Sequence, residues 1–154
     1  MTGRRPAVIV DMDGTLVDVT TALPHLVDDK GRKSFDRFHE ASRTCPPNAQ
    51  AIAFCVRHWA AGHVVCVVTA RKYQWQELSE AWLGEHLPVP YVGPFMRGDL
   101  DNRADVDVKR DIHRILTRDH EFEIVGAIDD NPPIIELWQG LGIPTEVVPR
   151  EWDQ

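Results

Sequence analysis

The sequence has no apolar stretch near the roughly 18–20 residues that a membrane span requires. The apolar run behind its basic first residues, AVIV at 7–10, is too short for a secretory signal. A cytoplasmic location with no membrane partner is the expectation. Cysteine is scarce: Cys45, Cys55 and Cys66 are odd in number and lack C-x-x-C spacing. That argues against a disulfide framework or a zinc site and leaves buried thiols as the simplest reading. Basic charge is also short, with 17 Lys and Arg against 24 Asp and Glu, a net charge of −7. A protein that coats nucleic acid would be basic. A site that grips one or two phosphates with a few local arginines stays open, and an acidic metal site would account for part of the excess. There is no internal repeat and no G-x-x-x-x-G-K-[ST], so these 154 residues hold no P-loop kinase.

What is present is a regular order of elements. With 43% hydrophobic and 27% charged residues, the chain suits one globular domain over 1–154. Strands are expected at 7–10 (AVIV), 63–69 (HVVCVVT), 122–129 (FEIVGAID) and 143–148 (IPTEVV), with an extended segment at 88–95. Helices are expected at 47–61, with Ile52, Val56 and Trp59 at helical spacing; at 73–85, with Trp75, Leu78, Trp82 and Leu83 on one side; at 105–117, with Val108, Ile112, Ile115 and Leu116 inward; and at 132–140. Strands alternating with helices predict an α/β fold, a parallel sheet flanked by helices. Ligands in such folds sit outside the carboxyl ends of the strands. Asp11, Thr69 and Asp129 stand there. Two stretches interrupt the alternation: a flap or insertion loop at 18–45, where 34–43 could hold a short helix, and a small rim insertion at 86–104 whose polar part is 96–104.

The polar residues at the strand ends suggest phosphoryl chemistry. In DMDGT, Asp11 and Asp13 can both face a metal if the chain turns sharply, which Gly14 permits. A carboxylate beside Mg²⁺ can attack phosphorus, and a second can protonate the leaving oxygen. Asp129 and Asp130 offer further hard oxygen ligands. Thr69 can donate to a phosphate oxygen, and Lys109 can place an ammonium between nucleophile and phosphate. Singly, each feature has a plain alternative: a turn, a β-former, a solvated lysine, an N-cap before Asn131 and Pro132. The four in this order are much less easily explained away.

That order, DMDGT, VVTAR, Lys109 and AIDD, resembles the haloacid dehalogenase-like phosphohydrolase superfamily over nearly the whole chain. The resemblance implies a Rossmann-like domain with Asp11 as nucleophile and Asp13 as general acid and base. It implies Mg²⁺ held by Asp11, the Asp13 carbonyl and the Asp129–Asp130 pair, with Thr69 and Lys109 on the phosphate. Receiver domains of signalling proteins carry similar parts, but with the acidic pair first. Neither insertion is long enough for a large cap, so the cap should be minimal or absent and the site open to bulky substrates. Arg32, Arg71, Arg97 and Arg103 fall on the expected rim, where arginine suits bidentate phosphate recognition. The alternative is that they balance Asp99, Asp101 and Asp105.

MRGDLDNRADVDVKRDI at 96–112, together with VVTAR and AIDDNPPIIELWQGLGI, is similar to the 3′-phosphatase domain of bacteriophage polynucleotide kinase–phosphatases. This resemblance implies functional roles for Arg32, Arg71, Arg103 and Asp105, and a phosphate cradle at Thr69, Ala70 and Arg71. It implies removal of a 3′-phosphate from DNA or RNA ends through an aspartyl-phosphate, beside a separate kinase or ligase. Two alternatives stand beside it. One is a mononucleotidase whose base is held around Tyr91–Met96. The other is a non-catalytic module that binds Mg²⁺ and phosphate.

Overall fold

The computed structural model describes residues 3–150; residues 1–2 and 151–154, the outer ends of the expected 1–154 domain, lie outside the described residues. Five strands, β1 (Arg5–Val10), β2 (Val64–Lys72), β3 (Val92–Arg97), β4 (Phe122–Asp129) and β5 (Thr145–Val147), form one sheet in the order β3-β2-β1-β4-β5. Every pairing is parallel. The β1 apolar run is buried on both faces because helices cover both. Val8 and Val10 point into a core shared with α1 (Phe35–Ser42), α2 (Ala49–Ala60) and α3 (Gln76–His86). Ala7 and Ile9 point into a second core under α4 (Asp105–Arg114) and α5 (Pro132–Gly140). Trp138 and Leu116 are fully buried there; truncating such a tryptophan to alanine costs about 3–5 kcal/mol.

Three helix faces differ from the sequence expectation. In α2 the buried residues are Ala51, Phe54 and Cys55, while Val56 and Trp59 are each 43% exposed. Small Ala51 and Cys55 face the sheet, and the larger residues fall at the edge of that stripe. In the 73–85 segment the first turn is a 3₁₀ turn (Tyr73–Trp75), so Trp75 stays out of the core that Leu78, Trp82 and Leu83 enter. In the 105–117 segment, α4 ends at Arg114 and a π-helical turn (Ile115–Asp119) follows, with Ile115 exposed and Leu116 buried.

The 18–45 stretch is an ordered excursion. It carries a 3₁₀ turn (Leu23–Leu26) and α1, whose N-cap Ser34 accepts from the Arg37 N–H. Its ends are joined: the Asp18 N–H donates to the Pro46 carbonyl at 2.9 Å, and Val17 pairs with Pro47. One eight-residue helix is all the cap this excursion supplies. In the 86–104 stretch, β3 takes Val92–Arg97, which leaves 98–104 as the loop.

Candidate active site

β1 delivers Asp11 to the centre of the sheet's carboxyl edge, between β2 and β4. The chain then turns back through Gly14, whose φ of +81° favours glycine. A Cβ on Gly14 would lie 2.2 Å from Asp130 Oδ2, so the turn also needs glycine for space. Thr15 closes the turn, its hydroxyl lying 3.0 Å from Asp11 Oδ2 and 3.2 Å from Asp130 Oδ1. Lys109 reaches in from α4 and donates to Asp11 Oδ1 at 2.8 Å and to Asp129 Oδ2 at 3.0 Å. Asp129 is oriented further by the N–H groups of Asp130 and Asn131, at 2.8 and 3.0 Å on Oδ1.

Carboxylate oxygens of Asp11, Asp129 and Asp130 all lie within 4.8 Å of one another and are buried. Burial first, then the charges of Asp129 and Asp130, push the Asp11 carboxyl well above the usual range, against the pull of Lys109. Asp130 is raised by burial and by Asp129, with Arg150 opposing at 2.8 Å. Burial would lower the Lys109 ammonium, but Asp11 and Asp129 outweigh it and hold the proton on. Three crowded carboxylates offering hard oxygen donors, with Asp11 and Asp130 both raised, fit Mg²⁺. The Asp13 side chain is not part of this donor cluster.

Asp13 instead faces Arg71. The guanidinium donates through Nε to Oδ2 at 3.0 Å and through Nη2 to Oδ1 at 2.5 Å. Burial would raise the Asp13 carboxyl, yet the charge and hydrogen bonds of Arg71 hold it below the ordinary carboxylate value. Arg71 is itself clamped, donating to Ser79 Oγ of α3 at 3.0 Å and to Ser42 Oγ of α1 at 3.1 Å. Thr69 Oγ1 accepts from the Arg71 N–H at 3.2 Å, which leaves the hydroxyl proton for a ligand. β2 runs on past Thr69 to Lys72, so Ala70 and Arg71 are strand residues.

A cavity of about 650 Å³ opens above these groups, with Asp11, Asp13, Thr69, Ala70 and Lys109 in its walls. Arg103 and Asp105 also border it. Arg103 is engaged by Asp101 and Asp111, at 2.9 and 2.8 Å. Arg97 is buried, binding Asp105 and the carbonyls of Ala70, Asp101 and Arg103, so it staples the 98–104 loop to β2. Arg32 does not border the cavity: it is an exposed residue folded back on Asp28, its Nε 3.2 Å from Oδ2. A tight turn holds it there, with the Arg32 N–H on Asp28 Oδ1 at 2.9 Å and Val27 paired with Lys33. The residues around Tyr91–Met96 are also absent from the cavity wall; Tyr91 and Phe95 pack onto the two cores.

Sequence reasoning passed over Thr15, His39, Ser42, Ser79 and Arg150. Thr15 stood inside DMDGT. Ser42 and Ser79 showed only as small polar residues on otherwise apolar helix faces, and Arg150 had no pattern around it.

Residues 5–150 match the model of the polynucleotide kinase PNKP phosphatase domain. A putative bifunctional polynucleotide kinase/RNA ligase of Autographa californica nuclear polyhedrosis virus is 25% identical over 142 residues, 90% of this chain and 18% of that protein. A chain in the structure of a Pnkp1/Rnl/Hen1 RNA repair complex superposes with a TM-score of 0.74 at 22% identity, covering 97% of this chain and 44% of that one. A haloacid dehalogenase-like hydrolase of Streptococcus pneumoniae superposes with a TM-score of 0.62 at 14% identity, covering 99% and 90%. The chain thus spans less than half the length of the first two relatives, and the likeness to the solved structures defines a haloacid dehalogenase-like fold. Because one phosphatase-domain model accounts for all but the ends of the sequence on that fold, the chain belongs to the PNKP phosphatase-domain family.

Proposed function

We propose that the chain is a Mg²⁺-dependent phosphomonoesterase that removes the 3′-phosphate from DNA or RNA ends. The observation that carries this reading is Asp11, fixed by Lys109 at the floor of an open cavity, with Asp13 gripped by Arg71 beside it. Asp11, Asp129, Asp130 and the Asp13 carbonyl would hold Mg²⁺, which neutralises charge between an anionic nucleophile and an anionic phosphate.

The remaining steps belong to the chain's own residues. Thr69, the Ala70 N–H and Lys109 position the phosphate for in-line attack. An Asp11 oxygen forms the bond to phosphorus as the bond to O3′ breaks. Asp13, ionised in the free protein, takes the proton of the bound phosphomonoester monoanion and passes it to the departing O3′. Asp13 then removes a proton from the water that attacks phosphorus, and Asp11 is released with inorganic phosphate. Catalysis rests on positioning and charge compensation.

The open cavity with a one-helix cap supports a polymeric substrate over a small metabolite. That the viral relative is a putative bifunctional polynucleotide kinase/RNA ligase supports an end-repair role beside a separate kinase or ligase, and we place that role in the cytoplasm as part of the proposal. The test is phosphate release from a 3′-phosphorylated oligonucleotide with Mg²⁺. Turnover confined to free mononucleotides would sink the polymer reading.

A further inference from the structure

The cavity is far larger than one phosphate requires, and its lining is of two kinds. Arg71, Arg97, Asn102 and Arg103 supply polar groups. Two rings also border it: Phe35 at the start of α1 and Trp75 at the end of the 3₁₀ turn before α3. The His39 ring lies beside both, 6.2 Å from Phe35 at an interplanar angle of 27° and 5.4 Å from Trp75. His39 is buried, whereas Phe35 is 57% exposed and Trp75 is half-buried. A lone exposed aromatic needs no explanation. Two of them, brought from separate elements into the wall of a catalytic cavity, do.

We propose that Phe35 and Trp75 form the seat of the nucleobase whose sugar carries the 3′-phosphate, a reading that rests on the 3′-phosphatase function above. Base stacking on aromatic rings suits this wall because every base presents a π-face, so the seat tolerates any sequence. Lys33 and Lys72 border the same cavity and complement the phosphodiester on the 5′ side of the terminal nucleoside, which joins it to the rest of the strand. The two rings also supply what the residues around Tyr91–Met96 do not.

The test compares two oligonucleotides of one sequence with a 3′-phosphate. One ends in a complete nucleotide, and the other ends in a sugar that lacks its base. The wild-type protein turns over the complete end with kcat/KM about tenfold or more above the abasic end, mostly through KM. In the Phe35→Ala/Trp75→Ala double variant the two ends become equivalent, and Trp75→Phe alone keeps most of the preference. Equal kcat/KM on both ends by the wild type overturns the base seat while leaving the 3′-phosphatase reading intact. A full preference retained in the double variant also overturns it. A wild-type protein that hydrolyses neither oligonucleotide overturns the 3′-phosphatase reading and the seat with it.

Discussion

Arg71 and Asp13, 58 residues apart, meet through two parallel hydrogen bonds, and two serines from different helices hold the arginine in that pose. Lysine at position 71 keeps the charge but loses the planar fork. Arg71→Lys should lower kcat on a 3′-phosphorylated oligonucleotide by about 10²-fold or more, the scale of a general acid–base contribution. Steady-state kinetics check this. A kcat near that of the wild type would separate Arg71 from the proton-transfer step.

Asp11 and Lys109 should part company when activity and stability are measured together. Asp11→Asn removes a charge that its buried surroundings disfavour, so turnover is lost while the melting temperature holds or rises. Lys109→Met leaves Asp11 and Asp129 facing each other without their cation. It should abolish turnover and destabilise the fold by about 3–5 kcal/mol, the usual result of removing one partner of a buried pair. Thermal melts with parallel assays give both quantities.

Mg²⁺ should raise the melting temperature of the wild type, and a chelator should reverse the shift and stop turnover. Saturation at about 100 times Kd corresponds to about 2.7 kcal/mol. Asp130→Asn should shrink this Mg²⁺-dependent shift. Titrations monitored by calorimetry would reveal an unaltered response.

Gly14→Ala tests the turn. The new methyl group meets Asp130 Oδ2 and the backbone has φ of +81°, so the variant is strained twice. The left-handed conformation alone costs about 1–2 kcal/mol. Denaturant melts should show at least that loss, and kcat should fall with it because Asp130 must move.

The opposite end of the sheet should set an acid limit on stability. His58 and His63 share one hydrogen bond between their Nδ1 atoms at 2.9 Å, and a second proton would break it. Burial first, then the charges of His63 and Arg57, hold His58 below its ordinary value of 6.5. The unfolded chain therefore takes up a proton that the folded chain refuses, so stability falls as pH drops through 6.5 and the decline ends below the folded value. Melting curves from pH 8 to pH 5 should show this decline, and His58→Gln should flatten part of it.

The strands were readable because apolar β-branched runs stop abruptly at Asp11 and Asp129, and burial on both faces leaves no polar alternation to confuse them. Lys109 stood out only by its place in the order DMDGT, VVTAR, Lys109, AIDD, because a lysine near a helix start is by itself usually solvated. Less accessible were features that depend on the third dimension. Trp75 sits at helical spacing from Leu78 and Trp82, but a 3₁₀ turn places it in the cavity wall. Arg32, Arg71, Arg97 and Arg103 look alike in sequence. One is at the surface, one grips Asp13, one staples a loop and one is engaged by two aspartates. Local pattern does not carry such pairings because topology, rather than spacing, brings the partners together.

The joined ends of the 18–45 excursion have a consequence for engineering and descent. Asp18 and Pro46 meet at a neck, and what lies between reaches the polar groups of the Asp11–Thr15 turn through His39, 3.9 Å from Asp13 Oδ2, and through Ser42 on Arg71. A different segment could be grafted at that neck and leave the nucleophile in place, altering what the protein accepts while sparing how it reacts. Ser42 and His39 are the threads such a graft would cut, and a replacement would have to restore the Ser42 clamp on Arg71. The chemistry behaves as a fixed chassis, and the excursion as its exchangeable tool head.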